Sequence, residues 1–505
     1  MKIRSIAILA FGCIGYRVEA QPTAGIPPAI LYEQNPRSQV VVSNASASFN
    51  VQRSGTLPFQ YQWLFNGWAL PDATNQSFRI PRCQPEDEGD YRVIIRNDWG
   101  AVTSRVARLT VTPLASHLLA RVFTNSTNTK LPYRLFVPAQ QAAETKLPLV
   151  LFIHGSGELG TDNISQLQVQ PYCMAYISYS NQVTYPTFFA APQGHPTWSA
   201  SVALAILSDF LDTLISEYPI DTNRISVTGL SLGGYTSWAM LALRPDLFAA
   251  AVPICGWGDS SAETCRRFAH VPVWNFHAAD DSTVLVSGSR EMINMLRQVG
   301  GNPIYTEYRS GGHGIWANAY ATPGLVEWTL AQSRGQPSKV APQLVIQTPT
   351  SDGSLTTSLT NLDLAGTAVW GQETISQVTW TNMSLRAGGI AQGTDAWAAH
   401  DALLKSGAIN SVIILASTIT WAPGLGGATT FGDTLMVQFP PPMAMTIEGQ
   451  SAQVVLNWTG GQPPFDLQST DDLLNGRWTD VRKDVTPPVS LPVAGAAAFY
   501  RVLAR

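Results

Sequence analysis

Gly229-Leu230-Ser231-Leu232-Gly233-Gly234 is the stretch that decides the fold of this chain. It follows a run from Arg224 to Thr228 that predicts a short buried strand, and it precedes a run from Tyr235 to Leu243 that predicts a helix. A strand, a G-x-S-x-G turn and a helix form a nucleophile elbow, a tight turn that presents a serine above the edge of a sheet. Ser231 is therefore the candidate nucleophile.

The composition argues against two classes of partner. Only 13% of the 505 residues are charged, and the formal net charge is −4. A chain with so little charge lacks the basic surface that attracts nucleic acid or an anionic membrane. Beyond the N-terminal leader, no apolar run reaches the roughly 18 residues that a membrane span requires. We expect neither a nucleic-acid partner nor a membrane span.

The N-terminus has the pattern of an export signal. Lys2 and Arg4 precede an apolar run over residues 6–14, and small residues at positions 18 and 20 suit a cleavage site. The sequence therefore predicts a signal peptide over residues 1–20 and a secreted or extracytoplasmic location. A lipoprotein anchored through Cys13 is the alternative, which the bulky Phe11 disfavours.

The cysteines indicate neither a metal site nor a disulfide scaffold. Four remain after the leader, and no C-x-x-C spacing suggests zinc, so we expect no metal and no cofactor. Export permits disulfides, and Cys255 with Cys265 is the pair best placed for one. Buried free thiols fit the same residues equally well.

The mature chain divides into four regions by the period of its apolar residues. Residues 25–113 alternate apolar and polar residues between turn signals, which predicts a β-sandwich. Residues 115–335 alternate continuous apolar runs with helical spacing, which predicts an α/β domain with a mostly parallel sheet covered on both faces. Residues 343–438 and 443–505 contain strand-like runs separated by Pro440-Pro441-Pro442, and they predict two all-β modules.

The first region resembles an immunoglobulin-like domain. Trp63, in Tyr-Gln-Trp, matches the core tryptophan of that family, and Tyr91, which ends Glu-Asp-Glu-Gly-Asp-Tyr, matches the corner tyrosine. Phe49 and Val93 stand where the family has its cysteine pair. Residues 343–438 resemble bacterial immunoglobulin-like repeats. The domain over 25–113 could act as a spacer or make carbohydrate or cell-surface contacts, and we favour the spacer.

The candidate nucleophile needs a base that removes its proton and an acid that orients the base. In the α/β-hydrolase chain order the acid follows the serine and the histidine comes last. Of the seven histidines only His313 follows a candidate acid within the α/β region. Asp280 and Asp281 both follow the predicted strand over 271–276, and position alone does not separate them. Asp246 and Asp259 also lie between the elbow and His313.

Acyl transfer also needs donors for the developing oxyanion, and the loss of one costs roughly 3–4 kcal/mol. The backbone N–H of Leu232, next to the nucleophile, is one candidate. The second is expected in the small-residue turn over 154–158, which follows the predicted strand over 149–153. His154 begins that turn, and we expect it to pack and hydrogen bond there rather than transfer protons.

The α/β region resembles secreted bacterial esterases related to phospholipase/carboxylesterases, feruloyl esterases and polyhydroxybutyrate depolymerases, some of which are labelled predicted peptidases. The resemblance rests on five segments: His154-Gly155-Ser156-Gly157-Glu158-Leu159-Gly160-Thr161-Asp162-Asn163, Ala191-Pro192-Gln193, Tyr218-Pro219-Ile220-Asp221, Pro253-Ile254-Cys255-Gly256 and His313-Gly314-Ile315-Trp316. It implies an acyl-ester hydrolase with a Ser-Asp-His triad and an oxyanion hole formed by Ser156 and Leu232.

The same resemblance distinguishes the two acids. The H-G-x-x-D-x-x-V segment of these esterases matches the residues from His277 to Val284, which makes Asp281 the acid of the triad. Ala278 replaces the usual glycine of that segment, and Leu159 replaces a common arginine of the oxyanion turn. These two departures bear on loop geometry and substrate contacts.

The sequence thus predicts a secreted serine esterase that cleaves carboxylic esters through an acyl-enzyme, with an extracellular polymeric or polysaccharide-linked ester as the expected substrate. The alternatives are a serine peptidase of the same fold and a catalytically inactive multidomain adhesin. Trp198, Trp257 and Trp316 lie in loops of the α/β region and are candidates for substrate contact. Packing at the rim of the domain is the other interpretation of these three residues.

Overall fold

All four predicted regions fold into regular structure. The computed structural model describes residues 25–31, 34–139, 145–168, 171–197, 200–336, 340, 342–370, 374–419, 425–439, 444–450, 453–459, 464–470, 477–492 and 499–504. The predicted signal peptide over 1–20 and the lipidation candidate Cys13 lie outside these residues. Among the described residues, no helix is both long and apolar enough to cross a membrane.

The first region is a β-sandwich of two antiparallel-rich sheets. Its strands are β1 (Gln39–Val42), β2 (Ala47–Asn50), β3 (Gln60–Phe65), β4 (Trp68–Ala69), β5 (Ser77–Ile80), β6 (Gly89–Asn97), β7 (Gly100–Thr103) and β8 (Ala107–Thr112). One sheet has the order β1-β8-β6-β3-β4 with β7 beside β6, and the other pairs β2 with β5.

The core of this sandwich has the predicted aromatic residues. Trp63 is fully buried, and the rings of Phe49 and Tyr91 stack at 4.6 Å between centroids. The Tyr91 hydroxyl donates to the backbone oxygen of Asp87 at 2.9 Å, which is the hydrogen bond of a tyrosine corner. The buried side chains of Phe49 and Val93 thus occupy the positions where the family has its disulfide.

The α/β region is built on a mostly parallel sheet. Its strands are β9 (Leu119–Thr124), β10 (Lys130–Phe136), β11 (Leu147–Ile153), β12 (Phe188–Pro192), β13 (Ile220–Leu230), β14 (Ala250–Ile254), β15 (Trp274–Ala278) and β16 (Ile304–Tyr308). Its helices are α1 (Ser165–Gln168), α2 (Tyr179–Thr184), α3 (Ala200–Glu217), α4 (Leu232–Leu243), α5 (Ala262–Phe268), α6 (Ser287–Gln298), α7 (Trp316–Tyr320) and α8 (Leu325–Ala331).

The strand order of this sheet places the predicted site at one edge. The order is β9-β10-β12-β11-β13-β14-β15-β16. The last six strands in this order, β12, β11, β13, β14, β15 and β16, run parallel. Every residue of β11 is buried, and separate apolar clusters cover the two faces of the sheet. The expectation of a parallel sheet with covered faces is confirmed. The carboxyl ends of β11, β13, β15 and β16 meet at one edge.

The third region is a second β-sandwich, and it is joined to the α/β sheet. Its strands are β17 (Gln343–Thr348), β18 (Ser354–Thr356), β19 (Asn361–Val369), β20 (Ile375–Asn382), β21 (Ala387–Ile390), β22 (Gln392–Gly393), β23 (Ala396–Leu403), β24 (Asn410–Ile419) and β25 (Gly427–Gln438). One of its sheets has the order β17-β19-β23-β22. The other continues from β16 through β25, β24 and β20 to β21.

The junction differs from the predicted division of the chain, in which the α/β domain ends at residue 335. Strand β25 pairs antiparallel with β16, so that Tyr305 lies opposite Thr430 and Thr306 lies opposite Thr429. An open β16 would expose a row of unpaired N–H and C=O groups, and β25 satisfies them. Trp370 from the third region also packs edge-on against Trp274 of β15, at 6.0 Å between ring centroids.

The last region contains two small sheets. Its strands are β26 (Ala444–Gln450), β27 (Gln453–Thr459), β28 (Phe465–Thr470), β29 (Thr479–Val485), β30 (Val489–Pro492) and β31 (Phe499–Ala504). The sheets have the orders β26-β27-β30 and β29-β28-β31, and a separate apolar cluster that contains Trp458 and Phe465 lies between them.

The N-terminal sandwich also packs against the α/β region, although a spacer was expected. Val40 of β1 is buried in the apolar cluster that covers one face of the α/β sheet. The Glu88 carboxylate accepts hydrogen bonds from the Ser180 backbone N–H at 3.0 Å and from the Ser180 hydroxyl at 2.8 Å. The two domains therefore share a defined interface.

Two truncations test the join between the sheets. A chain that ends at Phe439 retains β25 and Trp370, and we expect its melting temperature to match that of the full chain. A chain that ends at Pro342 should melt about 10 °C lower or more. Loss of one large core contact costs about 3–5 kcal/mol, and each kcal/mol lowers the Tm of a domain of this size by about 2–4 °C.

Differential scanning calorimetry on the two purified chains makes the comparison. Equal melting temperatures for the chains that end at 342 and at 439 would mean that the third region contributes nothing to the stability of the α/β domain.

Candidate active site

The elbow around Ser231 has the backbone conformation that its motif predicts. Ser231 lies between β13 and α4 with φ 55° and ψ −116°, a strained conformation for a residue with a side chain. A Cβ on Gly233 would overlap the carbonyl oxygen of Ile153, and one on Gly229 would overlap the carbonyl oxygen of Gly233. Glycine at both positions therefore lets α4 pack close enough to the sheet to hold the turn.

The structure brings Ser231, His313 and Asp281 together at the carboxyl edge of the sheet. The Ser231 hydroxyl lies 2.8 Å from His313 Nε2, and His313 Nδ1 lies 2.7 Å from Asp281 Oδ2. The hydroxyl can donate to Nε2 only if the imidazole proton is on Nδ1, and the Nδ1–H group then donates a hydrogen bond to the carboxylate. This relay has the geometry by which a base deprotonates a serine.

The environment of Asp281 keeps its carboxylate charged. The side chain is buried, which raises its pKa, but the hydrogen bond from His313 and those from the backbone N–H groups of Val284 and Thr283 outweigh burial and lower the pKa. Both N–H groups donate to Oδ1 at 2.9 Å. Oδ2 is therefore left to His313 and to one further histidine.

That further histidine is His277, which sequence reasoning placed in a motif without a role. Its Nε2 lies 2.9 Å from the backbone oxygen of Val284 and 3.2 Å from Asp281 Oδ2, and its Nδ1 lies 2.7 Å from the Ser289 hydroxyl. Burial lowers the pKa of His277, and the two acceptor oxygens beside Nε2 indicate that this nitrogen carries a proton. His277 supports the loop that carries Asp281.

The neighbouring Asp280 has a different role from Asp281. Its carboxylate accepts hydrogen bonds from the backbone N–H of Gly312 at 2.8 Å and of Gly311 at 3.2 Å. These glycines have positive φ angles and immediately precede His313. Asp280 therefore fixes the loop that carries the histidine, whereas Asp281 contacts the histidine ring.

The third region also makes hydrogen bonds to this loop. The backbone oxygen of Leu425 accepts from the N–H of Ser310 at 3.1 Å, and that of Gly426 accepts from the N–H of Arg309 at 3.2 Å. Both acceptors directly precede β25. No signal in the sequence could have linked these residues to His313.

The predicted oxyanion donors lie just after two adjacent strands of the sheet. Ser156 follows β11 and opens a short 3-10 turn, and Leu232 is the first residue of α4. Ile153 of β11 pairs with Gly229 of β13. The two segments that carry Ser156 and Leu232 therefore leave neighbouring strands at the same level of the sheet. The N–H groups in the first turn of a helix have no intrahelical acceptor, which leaves that of Leu232 available.

His154 fixes the oxyanion turn, as expected for a structural residue. Its Nδ1 lies 2.6 Å from the Gly155 oxygen, and its Nε2 accepts from the Gly194 N–H at 2.9 Å. This pair of contacts requires a proton on Nδ1 and none on Nε2. Burial lowers the pKa of His154, in agreement with a neutral ring.

Two of the three candidate tryptophans lie near the triad. The Trp316 ring stands edge-on to the His313 ring at 5.3 Å, and the partly exposed Trp257 lies 5.0 Å from the ring of Tyr235 on α4. Trp198 lies outside the described residues. Tyr235 was not predicted, although its position one turn after the nucleophile could have indicated it.

In the described part of the chain, the cysteines at positions 83, 173, 255 and 265 are buried and form no disulfide. The pair Cys255 and Cys265 is therefore not bridged in the structure. Cys255, His277 and Asp281 do offer possible ligand atoms within 4.8 Å of one another. Burial and the nearby Asp281 charge raise the pKa of the Cys255 thiol, and a neutral thiol is a poor metal ligand. We assign no metal to this cluster.

Two family models match the chain. The model of the immunoglobulin I-set domain matches residues 31–111, and that of the prolyl oligopeptidase family matches residues 207–270, which include the elbow. The chain combines an immunoglobulin-like domain with an α/β-hydrolase domain. The predicted resemblance is confirmed at this level.

Individual proteins extend the comparison. The chain is 24% identical over 253 residues to poly(3-hydroxyalkanoate) depolymerase C of Paucimonas lemoignei, an alignment over 41% of this chain and 59% of that protein. A thermostable esterase of solved structure is 28% identical with a TM-score of 0.43, covering 61% of this chain and 96% of its own. A ferulic acid esterase is 16% identical with a TM-score of 0.34, covering 42% and 97%. The chain thus spans about six tenths of the curated depolymerase.

We expect His154 to make the stability of the hydrolase domain depend on pH, because burial lowers its pKa. Below about pH 6.5, the usual histidine pKa, the unfolded chain binds a proton at this position that the folded ring excludes. The free energy of unfolding should therefore fall as the pH drops from about 6.5 toward the lowered pKa of the folded state. In the His154→Gln variant an amide oxygen can accept from the Gly194 N–H, and no proton is bound.

Urea unfolding of both proteins at pH 7.5 and pH 5.0 measures the effect. We expect the wild-type protein to lose part of its stability advantage over the His154→Gln variant at the lower pH. An advantage that is the same at both pH values would contradict the lowered pKa.

Proposed function

We propose that this protein is a serine esterase that cleaves carboxylic esters through an acyl-enzyme. The observation that carries the proposal is the hydrogen-bonded series from Ser231 Oγ through His313 to Asp281, with distances of 2.8 Å and 2.7 Å. An inactive adhesin would have no reason to keep this series, the strained elbow and the buried acid together.

The first half of the reaction acylates the serine. His313 Nε2 takes the hydroxyl proton as Ser231 Oγ attacks the ester carbonyl, and the carbonyl electrons move onto oxygen. The N–H groups of Leu232 and Ser156 donate to that oxyanion. When the intermediate collapses, the bond to the alcohol oxygen breaks and His313 returns its proton to the leaving alkoxide. Asp281 stabilises the imidazolium throughout.

The second half repeats these steps with water. His313 deprotonates a water molecule that attacks the acyl carbonyl, and Ser231 leaves as the alcohol after it receives the proton. Every group in this cycle is a side chain or backbone N–H of the hydrolase domain, and no metal or cofactor takes part in the proposed scheme.

The expected substrate is an extracellular ester polymer or a polysaccharide-linked ester. The relationship to a poly(3-hydroxyalkanoate) depolymerase supports an ester bond in a polymer. The apolar run and small residues of the first 20 positions support export. A serine peptidase is the second candidate, because the matched family model is that of the prolyl oligopeptidases.

The Ser231→Ala variant tests the mechanism. Removal of the hydroxyl removes the nucleophile while the packing of the elbow is retained, so kcat for p-nitrophenyl acetate should fall by about 10⁴-fold or more. A fluorophosphonate probe should label the wild-type protein and not the variant. Undiminished hydrolysis by the variant would remove Ser231 from the mechanism. Faster cleavage of aminoacyl p-nitroanilides than of any ester would favour the peptidase.

The two adjacent aspartates provide a matched pair of variants. Asp281→Asn replaces the acceptor of the His313 proton with an amide, and kcat should fall by about 10⁴-fold because the required tautomer is lost. Asp280→Asn keeps one acceptor oxygen for the loop N–H groups, so we expect a decrease of less than about tenfold in kcat. Steady-state kinetics on p-nitrophenyl acetate compares them, and the opposite order would assign the acid to Asp280.

A further inference from the structure

A groove of about 590 Å³ lies between the immunoglobulin-like domain and the hydrolase domain. Residues of β1 and β2 form one wall, and the turn over Pro171–Ile177 and helix α7 form the other. Its volume falls within the roughly 300–1,000 Å³ of ligand sites. The proposed mechanism does not use this groove.

The side chains of the groove favour a neutral, hydroxyl-rich ligand. Of the 13 lining residues that the structure describes, Arg37 alone is charged and Tyr172 alone is aromatic. Six are amides: Gln34, Asn35, Gln39, Asn50, Gln52 and Asn318. An amide both donates and accepts hydrogen bonds, as a sugar hydroxyl does, whereas an anionic ligand would require several cations.

Some of these amides build the wall and others are available to a ligand. Gln39 is bonded to the backbone of Ser48, with its Nε2 donating to the Ser48 oxygen at 2.9 Å. The side chains of Asn50, Gln52 and Asn318 make no hydrogen bond to another residue within the described ranges of the chain. Asn50 and Gln52 project from the immunoglobulin-like domain, and Asn318 from α7.

Helix α7 contributes residues both to the groove and to the surroundings of the proposed active site. Trp316, the first residue of that helix, contacts the ring of His313, and the next two residues, Ala317 and Asn318, line the groove. Tyr172, which lines the same wall, belongs to the segment between the oxyanion turn and β12. Helix α7 thus links the groove wall at Ala317 and Asn318 to Trp316, the residue that contacts the catalytic base.

We propose that this groove binds a neutral oligosaccharide, and that the immunoglobulin-like domain thereby holds the sugar part of a saccharide ester beside Ser231. The first half of this inference concerns binding alone. The second half rests on the proposed esterase function. Tyr172 supplies an apolar ring face for a sugar ring, and the free amides of both domains supply its hydrogen-bond partners.

Binding is tested without turnover in the full-length Ser231→Ala protein. Isothermal titration with xylohexaose, cellohexaose and mannohexaose should show binding of at least one of them. The added substitutions Asn50→Ala and Gln52→Ala should weaken that binding at least tenfold. Gln60→Ala, which removes an exposed amide elsewhere on the same domain, is the matched control and should leave the affinity unchanged.

Kinetics on the wild-type active site tests the second half. The Asn50→Ala/Gln52→Ala protein should hydrolyse p-nitrophenyl acetate at the wild-type rate but show at least a fivefold higher KM for acetylated forms of the bound hexasaccharide. An equal KM for the two proteins would overturn the role of the groove in substrate positioning.

The outcomes separate this inference from the proposed function. Activity on p-nitrophenyl acetate without binding of any of the three hexasaccharides would overturn the groove inference and leave the esterase standing. Binding that depends on Asn50 and Gln52, in a protein that hydrolyses no ester, would support the groove inference and overturn the proposed esterase function. Binding of hexagalacturonate in preference to the neutral sugars would also overturn the inference.

Discussion

The close contact between helix α4 and strand β11 is the constraint on which the site depends. Gly233 lies so near the carbonyl oxygen of Ile153 that no side chain fits between them. This contact holds Ser231 at φ 55°, a conformation that costs about 1–3 kcal/mol and persists only where surrounding structure enforces it. The fully buried β11 and the buried second half of β13, residues 225–230, supply that enforcement. A mobile elbow would not keep Ser231 Oγ at hydrogen-bond distance from His313.

The histidine, in contrast, is held by contacts that are distant in sequence. The Asp280 carboxylate accepts hydrogen bonds from the N–H groups of the two glycines that precede His313. The backbone oxygens just before β25 accept from the N–H groups of Arg309 and Ser310. Loops that carry catalytic groups work only when a scaffold fixes them. Here one part of the scaffold is the loop after β15, which carries Asp280. The other part is the third region, whose contacting residues lie more than 100 positions after His313.

The sequence predicted the parts of this arrangement that have a local pattern. The elbow has glycines at fixed spacing, the α/β region has apolar runs of the right period, and chain order left His313 as the candidate base. It did not predict that β25 would join β16, because pairing at a sheet edge uses backbone groups that every residue has. The support of His313 by Leu425 and the docking of Val40 were missed for the same reason: both are long-range contacts without a motif.

Docking changes what an accessory domain can contribute to an enzyme. A module on a flexible linker raises the local concentration of substrate but does not orient it. The immunoglobulin-like domain is instead fixed by the buried Val40 and by the two hydrogen bonds between Glu88 and Ser180. Its exposed amides therefore stand at constant positions relative to α7 and His313. Fixed positions are what a specificity-determining wall needs, because a misplacement of about 1 Å at a reacting centre can cost about 100-fold in rate.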